Sequence, residues 1–274
     1  PYIVRLDQDA VNLPKRVEEQ ISYLENNKNV SIVCSWEHTI NSKGVITRDW
    51  KRKIHNYGDF IGPIFLGLCP IWHPSIAFRK DDIINAGGFD SEFTRAEDFE
   101  VTARLALHRL EASILQKFHL LQRHHDNSQS KVFIAEQAFM THLIQKQSIA
   151  HFIDPIKAEE LAYFLKFQQN PGQENFDKSF LIKMYFQLNL MLLNVSKDKL
   201  MNKSEVFRMK IIIYKRLGFG IYLMPFYKFL PQFLFLPLFF ALSPLFSQTF
   251  HKQLSILYNF LHEAKYSIKN LFKQ

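Results

Sequence analysis

Hydrophobic positions in the first part of the chain alternate between short continuous runs and helical spacing. The short runs have the length of buried strands and fall at residues 2–6, 30–34, 76–78 and 114–121. Helical patterns begin near Asn12, with Pro14 in the first turn, and recur at residues 81–86 and 97–108. Residues 41–44 predict a hairpin turn, and Gly87-Gly88 a second turn. This alternation of strands and helices predicts an α/β layer structure.

After residue 130 the pattern becomes helical. Long helix-like stretches cover residues 132–152, 156–167 and 180–193, with breaks at 154–155 and 170–172. We therefore predict a helical appendage over residues 131–215. The breaks contain Pro155 and the Asn-Pro-Gly sequence that ends at Gly172, which are typical helix terminators.

An apolar tract closes the chain over residues 216–274. The apolar segment 229–246 has 18 residues and no charge, and prolines interrupt it at short intervals. A straight membrane-spanning helix needs about 20 apolar residues and tolerates few such breaks. The pattern favours a broken, interfacial or re-entrant segment over a clean span. The alternative is a buried helical hairpin in a soluble core.

Charge is distributed unevenly along the 274 residues. The net charge is +8, yet residues 1–130 carry 16 basic and 17 acidic side chains, so the whole excess lies further on. Residues 197–228 alone carry eight basic and two acidic side chains, and they lead directly into the uncharged tract. A basic segment that flanks an aromatic, apolar one fits an anionic membrane surface better than it fits nucleic acid. Binding of RNA or DNA by this tail is the weaker alternative.

Composition excludes several classes of protein. The chain is 47% hydrophobic and 22% charged, which is enough for a core and unlike a disordered chain. Its two cysteines, Cys34 and Cys69, make neither a disulfide framework nor a zinc motif. From this cysteine usage we expect an intracellular protein from a reducing compartment. No signal-peptide pattern is visible in the sequence.

Two carboxylates one residue apart, Asp7 and Asp9, follow the first strand. Such a pair can share a divalent cation, with one carboxylate binding it directly and the other through water or a sugar hydroxyl. The spacing is common by chance. The alternative is a solvated turn that caps the following helix.

The surrounding residues make the pair more specific. The segment 2–16, with its Asp-Gln-Asp and Leu-Pro-Lys-Arg, resembles the acidic-motif segment of family 2 glycosyltransferases of the GT-A fold. The sequence His-Pro-Ser-Ile-Ala-Phe-Arg at 73–79, then Gly-Gly-Phe-Asp at 87–90 and Ala-Glu-Asp-Phe-Glu at 96–100, resembles that family's second landmark. Gln-Arg-His-His at 122–125 is similar to its closing Tyr-Arg-x-His, with Gln in place of Tyr. The resemblance ends near residue 130.

The resemblance implies an inverting transfer of a sugar from a nucleotide-diphosphate donor to an acceptor hydroxyl. It assigns Mg²⁺ or Mn²⁺ to Asp9, with Asp7 assisting or contacting the ribose, and the general-base role to Asp98. An alcohol is a poor nucleophile at neutral pH, so a positioned carboxylate must take its proton, and the departing diphosphate needs a cation. Glu97 would raise the proton affinity of the base. The alternative for these two acids is a favourable helix N-terminus.

Other polar and aromatic residues are weaker candidates. Arg123 and His125 share a strand face and could reach the diphosphate or the metal, or could be a solvated strand end. His73 could contact the acceptor, but a polar residue before proline at a strand start is common. Arg104 follows Glu97 on the same predicted helix, and we interpret it as a structural partner and not as a catalyst. The tryptophans could stack on a sugar, although most tryptophans pack in cores. They are Trp36, Trp50 and Trp72.

The resemblance also implies a missing beginning. A GT-A domain opens with strand–helix–strand units that hold the nucleotide, and only six residues precede Asp7. We therefore expect an N-terminally truncated, partial GT-A (Rossmann-like) domain over residues 1–130. Such a chain should bind nucleotide-sugar weakly or not at all by itself.

Two functions remain open. The first is a membrane-associated hexosyltransferase at the cytoplasmic face of the cell membrane, peripheral or re-entrant, acting on a surface-polysaccharide or lipid-linked acceptor. The second is a non-catalytic membrane-associated scaffold that keeps the fold. A decayed enzyme has no reason to retain Asp7, Asp9 and Asp98 together, and all three are present.

Overall fold

A computed structural model describes residues 1–123, 132–167, 178–197 and 201–216. Its strands are β1 (Tyr2–Val4), β2 (Ala10–Asn12), β3 (Val30–Ile40), β4 (Ile46–Trp50), β5 (Ala77–Arg79) and β6 (Glu111–Arg123). Its helices are α1 (Arg16–Asn26), α2 (Tyr57–Ile64), α3 (Lys80–Asn85), α4 (Glu97–Leu107), α5 (Ile134–Ala150), α6 (Pro155–Phe167), α7 (Lys178–Lys197) and α8 (Lys203–Arg216). The prediction of a mixed α/β chain with helices after residue 130 is confirmed.

The six strands form one mixed sheet in the order β1-β5-β3-β6-β2, with β4 paired to β3. β3 and β6 run parallel and the other pairs are antiparallel. β3 is central because it pairs with three strands, and it is buried along most of its length. α1 packs on β3 through Leu24, which with Val30, Val33 and Ala77 forms a core cluster. Burial on both faces explains why the sequence of β3 reads as a nearly continuous apolar run at its start.

One local prediction is wrong, and one helix was not predicted. Asn12 does not begin α1, because residues 10–12 pair with β6 as β2, and the residue before α1 is Lys15 with φ of 67°. The Asn12 side chain instead accepts a hydrogen bond from Arg16. The sequence pattern also misses α2, whose glycines and Pro63 are typical of a loop. Asn56 caps this helix by accepting a hydrogen bond from the Gly58 N–H at 3.1 Å.

α8 is clamped onto the α/β part of the chain. The Arg208 guanidinium donates two hydrogen bonds to Asp59, at 2.9 and 2.8 Å, and Arg109 donates one to Glu205 at 2.6 Å. Gly58 allows this approach, because a Cβ at that position would lie 2.0 Å from the carbonyl oxygen of Glu205. We call these contacts the α8 clamp. They place residues 203–213 in one compact unit with the sheet.

The compact unit comprises the described residues of 1–174 and 186–213, and those of 175–185 and 214–216 belong to a second unit. The division into residues 1–130, 131–215 and 216–274 stays a prediction. The tail that we predict to associate with a membrane, residues 216–274, lies beyond the described residues except for Arg216. Within the ranges that the structure describes, each helix is too short or too polar to cross a bilayer.

Candidate active site

The candidate site lies where β1 ends, beside the turn before β5 and the start of α4. The backbone N–H of Arg5 donates to the carbonyl of Ile76 at 3.0 Å, which extends the β1–β5 pairing and fixes where Asp7 emerges. A short 3-10 turn, His73–Ser75, precedes β5. Asp98 is the second residue of α4. Two acidic motifs separated by about 90 positions in sequence thus come from neighbouring elements.

A continuous series of contacts joins the two motifs. Arg5 Nε donates to Asp7 Oδ1 at 3.0 Å, and Arg5 Nη1 lies 2.9 Å from His73 Nε2. His73 Nδ1 lies 4.0 Å from Asp98 Oδ2. Because a guanidinium can only donate, His73 Nε2 accepts and the ring proton sits on Nδ1, facing Asp98. We call Arg5, His73 and Asp98 the Arg–His–Asp relay.

Arg16 holds the elements of the relay in place. Its side chain is 1% exposed and donates to the carbonyl of Arg5 at 2.7 Å and to that of Pro74 at 3.1 Å. The neighbouring Gln20 donates to the carbonyl of Ser75 at 2.7 Å. Burial lowers the pKa of Arg16 to about 10, so the side chain remains charged at neutral pH. α1 therefore anchors both β1 and the His73 turn.

Two residues of the relay, Asp98 and His73, have shifted pKa values. Burial raises the pKa of Asp98 above its usual range, and the negative charge of Glu97 adds to the rise. The Phe99 N–H and the Arg5 cation act in the opposite direction. Burial and the nearby Arg5 cation lower the pKa of His73 to about 3. His73 is thus a neutral imidazole at physiological pH. The Asp98 side chain keeps 40% of its surface exposed, so a substrate hydroxyl can reach it.

Asp9 lies at the end of the sheet formed by β2 and β6. Gln122 Nε2 donates to Asp9 Oδ1 at 2.9 Å, and the Arg123 N–H donates to the Asp9 carbonyl at 3.1 Å. The Arg123 guanidinium donates to the carbonyls of Asn41 and Ser42 in the hairpin turn. His125, which we predicted to share a strand face with Arg123, lies outside the described residues.

The carboxylates fit a divalent cation only in part. Across the described ranges, no three His, Cys, Asp or Glu side chains cluster closely enough to hold a metal ion. Asp7 and Asp9 offer hard oxygen ligands, and Gln122 orients Asp9 as outer-shell donors orient a ligand. The remaining ligands would have to come from a diphosphate and water.

Arg104 and the tryptophans also have definite places. Arg104 pairs with Glu100 at 2.8 Å and donates to the carbonyls of Ala86 and Gly88, which is a structural role, although its carboxylate partner is Glu100 and the prediction was based on Glu97. The three tryptophans line one pocket beside the relay, together with Glu37. Sequence reasoning missed Arg5, Arg16 and Glu37. A charged residue inside an apolar strand run is the one signal that could have indicated Arg5 and Glu37.

The chain is similar to glycosyltransferases over part of its length. It is 29% identical to an uncharacterized glycosyltransferase of Methanocaldococcus jannaschii over 133 residues, 48% of this chain and 45% of that protein. It is 31% identical to the O-antigen biosynthesis glycosyltransferase WbnJ of Escherichia coli over 103 residues, 38% of this chain and 39% of that protein. No family model matches the chain.

A third relative is named with its substrates. It is the Escherichia coli UDP-Gal:alpha-D-GlcNAc-diphosphoundecaprenol beta-1,3-galactosyltransferase, 29% identical over 96 residues, 33% of this chain and 32% of that protein. The chain thus spans less than half the length of these curated relatives. The similarity is therefore to one segment of each of these glycosyltransferases.

Proposed function

We propose that the chain is part of a family 2 glycosyltransferase of the GT-A fold that transfers a hexose with inversion from a nucleotide-diphosphate donor. The Arg–His–Asp relay is the observation that carries the proposal, because it links Asp7 of the first acidic motif to Asp98 of the second within contacts of 2.9–4.0 Å. The similarity to glycosyltransferases supports the same reaction class.

Asp98 is the general base of this reaction. Its carboxylate takes the proton of the acceptor hydroxyl while that oxygen attacks the anomeric carbon, and the bond from that carbon to the diphosphate oxygen breaks with its electron pair. A raised pKa suits this role, because a base is most effective when its pKa approaches the working pH. The neutral His73 Nδ1–H faces the same carboxylate from 4.0 Å, so it leaves the negative charge of Asp98 in place.

Asp7 and Asp9 face the donor in this proposal. Asp9, oriented by Gln122, would hold Mg²⁺ or Mn²⁺, with Asp7 assisting or contacting the ribose. The cation would stabilise the charge that develops on the departing diphosphate. Arg5 donates a hydrogen bond to one oxygen of the Asp7 carboxylate, Oδ1. In this proposal the other oxygen, Oδ2, contacts the cation or the ribose of the donor. Contacts of Arg123 and His125 with the diphosphate belong to the same proposal.

The acceptor is proposed from the relatives and the tail. WbnJ takes part in O-antigen biosynthesis, and the galactosyltransferase acts on a lipid-linked diphosphate sugar, as their names state. A surface-polysaccharide or lipid-linked acceptor at the cytoplasmic face of the membrane would fit the basic, apolar composition of residues 197–246. Association with an anionic membrane surface is part of this proposal, and nucleic acid is not.

A transfer assay tests the proposal. The full-length gene product is incubated with labelled UDP-galactose, UDP-glucose or UDP-N-acetylglucosamine and a GlcNAc-diphosphate lipid, with and without Mn²⁺. We expect transfer from one donor, lost in Asp98→Asn and kept in Glu92→Gln, whose carboxylate is exposed. Donor binding without any transfer, unchanged by Asp98→Asn, would favour the non-catalytic scaffold.

A further inference from the structure

The β3–β4 hairpin and the residues directly after it carry a local excess of positive charge. Residues 43–53 contain five basic side chains and one acidic side chain, although residues 1–130 as a whole are nearly balanced. All five basic residues are exposed: Lys43, Arg48, Lys51, Arg52 and Lys53. We call residues 41–53 the basic hairpin. A patch of one sign at this density attracts a surface of the opposite charge.

Carboxylates of the described residues leave most of this positive charge uncompensated. Asp49 pairs with Lys51 at 3.1 Å. The other four cations form no ion pair with a carboxylate in the described part of the chain: Lys43, Arg48, Arg52 and Lys53. Exposed lysines elsewhere in the compact unit, such as Lys28 and Lys117, each pair with a glutamate. The basic hairpin therefore keeps its charge available to a partner.

The tip of the basic hairpin is apolar. The side chains of Val45 and Ile46 are 57% and 52% exposed. Along the chain they lie between Lys43 and Arg48, so two bulky apolar groups have a cation on either side. Such an arrangement fits the boundary between the headgroups and the acyl chains of a bilayer. The phosphate backbone of a nucleic acid would match the charge but offers no apolar layer for the tip.

The turn that presents this tip is held by its own hydrogen bonds. Asn41 Oδ1 accepts from the backbone N–H groups of Lys43 and Val45, both at 3.0 Å. Gly44 has a φ of 81°, which favours glycine, and its N–H donates to the Asn41 carbonyl at 3.0 Å. Because the turn is already ordered, binding through it costs little conformational entropy.

The basic hairpin contacts both parts of the candidate active site. At its tip the Arg123 guanidinium donates to two carbonyls of the turn, and the Arg123 N–H donates to the carbonyl of Asp9. At its other end the ring of Trp50 stacks on that of Trp72, with the centroids 4.6 Å apart. Trp72 directly precedes the 3-10 turn of the relay. A surface bound to the basic hairpin therefore lies near the proposed sugar-transfer residues.

We propose that the basic hairpin docks the chain on an anionic lipid bilayer. Lys43, Arg48 and Lys53 contact the headgroup phosphates, and the side chains of Val45 and Ile46 enter the layer beneath them. This contact lies in the part of the chain that carries the candidate site, whereas the membrane association proposed above comes from the composition of the tail. Docking itself does not require sugar transfer. Only its benefit, access to a lipid-linked acceptor, rests on the proposed function.

Vesicle binding by charge-matched variants tests the proposal. The full chain is sedimented with vesicles of phosphatidylcholine, alone or with one third phosphatidylglycerol. The hairpin variant carries Lys43→Gln, Arg48→Gln and Lys53→Gln. The control variant loses the same charge at exposed lysines of α3 and α6, through Lys80→Gln, Lys157→Gln and Lys166→Gln. A cation near an anionic membrane contributes about 5-fold in affinity, so the hairpin variant should bind the anionic vesicles about 100-fold more weakly than wild type.

The control variant should bind these vesicles nearly as wild type does, and both variants should keep the wild-type free energy of unfolding. Equal losses of binding in the two variants would overturn the proposal, because net charge would then be the cause. Unchanged binding in the hairpin variant would overturn it as well. Tighter binding to duplex DNA than to anionic vesicles, weakened by the hairpin substitutions, would assign the basic hairpin to nucleic acid instead.

A fluorophore at the tip shows whether this segment enters the bilayer. Burial raises the pKa of Cys34 and of Cys69 to about 12, so a thiol introduced by Val45→Cys is the one that reacts at neutral pH. An environment-sensitive label there should shift to the blue with anionic vesicles. The same label at Val17→Cys, a position of α1 that is 47% exposed, should not shift. Vesicle binding without a shift at the tip would contradict the proposal.

Transfer assays separate docking from the proposed function. Transfer to a water-soluble acceptor should be equal in wild type and the hairpin variant, whereas transfer to a lipid-linked acceptor in anionic vesicles should fall together with vesicle binding. Transfer to both acceptors that the variant leaves unchanged would overturn docking and keep the proposed sugar transfer. Vesicle binding through the basic hairpin without transfer to any acceptor would support docking and contradict the sugar transfer.

Discussion

Charged side chains are buried in two regions of the compact unit, the α8 clamp and the candidate active site, and they are arranged differently. In the clamp each carboxylate meets a guanidinium: Asp59 meets Arg208 and Glu205 meets Arg109. The Asp59 side chain is 4% exposed and accepts two parallel hydrogen bonds, so its charge is compensated by geometry. Pairing of this kind holds α8 against α2 and against the turn that follows α4.

In the candidate site Arg5 pairs with Asp7, but other acidic groups have no such arrangement. Asp98 lies beside Glu97, Glu37 is buried beside the Trp72 indole, and His73 is held neutral by burial and the Arg5 cation. The pKa values of Asp98 and Glu37 are raised and that of His73 is lowered. Buried groups that are left uncompensated cost stability, and such groups concentrate at functional sites. The comparison indicates that the clamp contributes to stability and the site to chemistry.

Exchanging one carboxylate for its amide in each region gives the largest expected contrast. Asp98→Asn cannot accept a proton and should lower kcat by about 10²–10⁴-fold, with the free energy of unfolding nearly unchanged. Asp59→Asn should keep kcat within a few-fold but lose about 1–3 kcal/mol of unfolding free energy, because Arg208 loses its charged partner. Transfer assays and urea unfolding measure the two effects. Equal losses of stability would remove the distinction between the regions.

A methyl group tests the close contact in the clamp. Gly58→Ala places a Cβ 2.0 Å from the Glu205 carbonyl oxygen, so α8 must move away, at an expected cost of about 3 kcal/mol. Gly62→Ala is the matched control, since its nearest atom, the Cα of Met209, would lie 3.4 Å away. Urea unfolding should separate the two variants. If Gly58→Ala is as stable as Gly62→Ala, α8 does not pack as closely as the structure indicates.

Glu37 should make stability depend on pH. Its pKa is raised from 4.5 to about 8 in the folded chain, so the folded state binds more protons between these values. The free energy of unfolding therefore falls as pH rises through this window, by on the order of 2–5 kcal/mol, and levels off above it. Glu37→Gln should remove that part of the slope. Denaturation at several pH values measures it, and the exposed control Glu92→Gln should retain the wild-type slope.

The smallest expected effect is a shift of the pH dependence of kcat/KM when the charge of Arg5 or of Glu97 is removed. Arg5 lowers the pKa of Asp98 and Glu97 raises it. Arg5→Gln should therefore move the acidic limb of kcat/KM to higher pH, and Glu97→Gln should move it to lower pH, because the base must be ionised to act. Shifts in the same direction for both variants would show that a group other than Asp98 controls the limb.

Local sequence patterns predicted much of the fold. The apolar runs located β1, β5 and the β3–β4 hairpin, and helical spacing located α3 and α4 to within a residue or two. α2 was missed because glycine and proline are locally typical of loops, whereas in the structure Gly58 permits the contact with α8. That reason lies about 150 positions away in sequence, so no local pattern could contain it.

For the candidate site, too, some features follow from the sequence and others only from the tertiary structure. The sequence by itself determined which carboxylates are present, Asp7, Asp9 and Asp98, and that each follows or begins a regular element. Tertiary structure alone decided that Arg5 and His73 lie between Asp7 and Asp98 and that Glu37 is buried beside the Trp72 indole. The physical reason is that proton affinity and pairing depend on burial and on distances between charges, and these are set by which elements pack together.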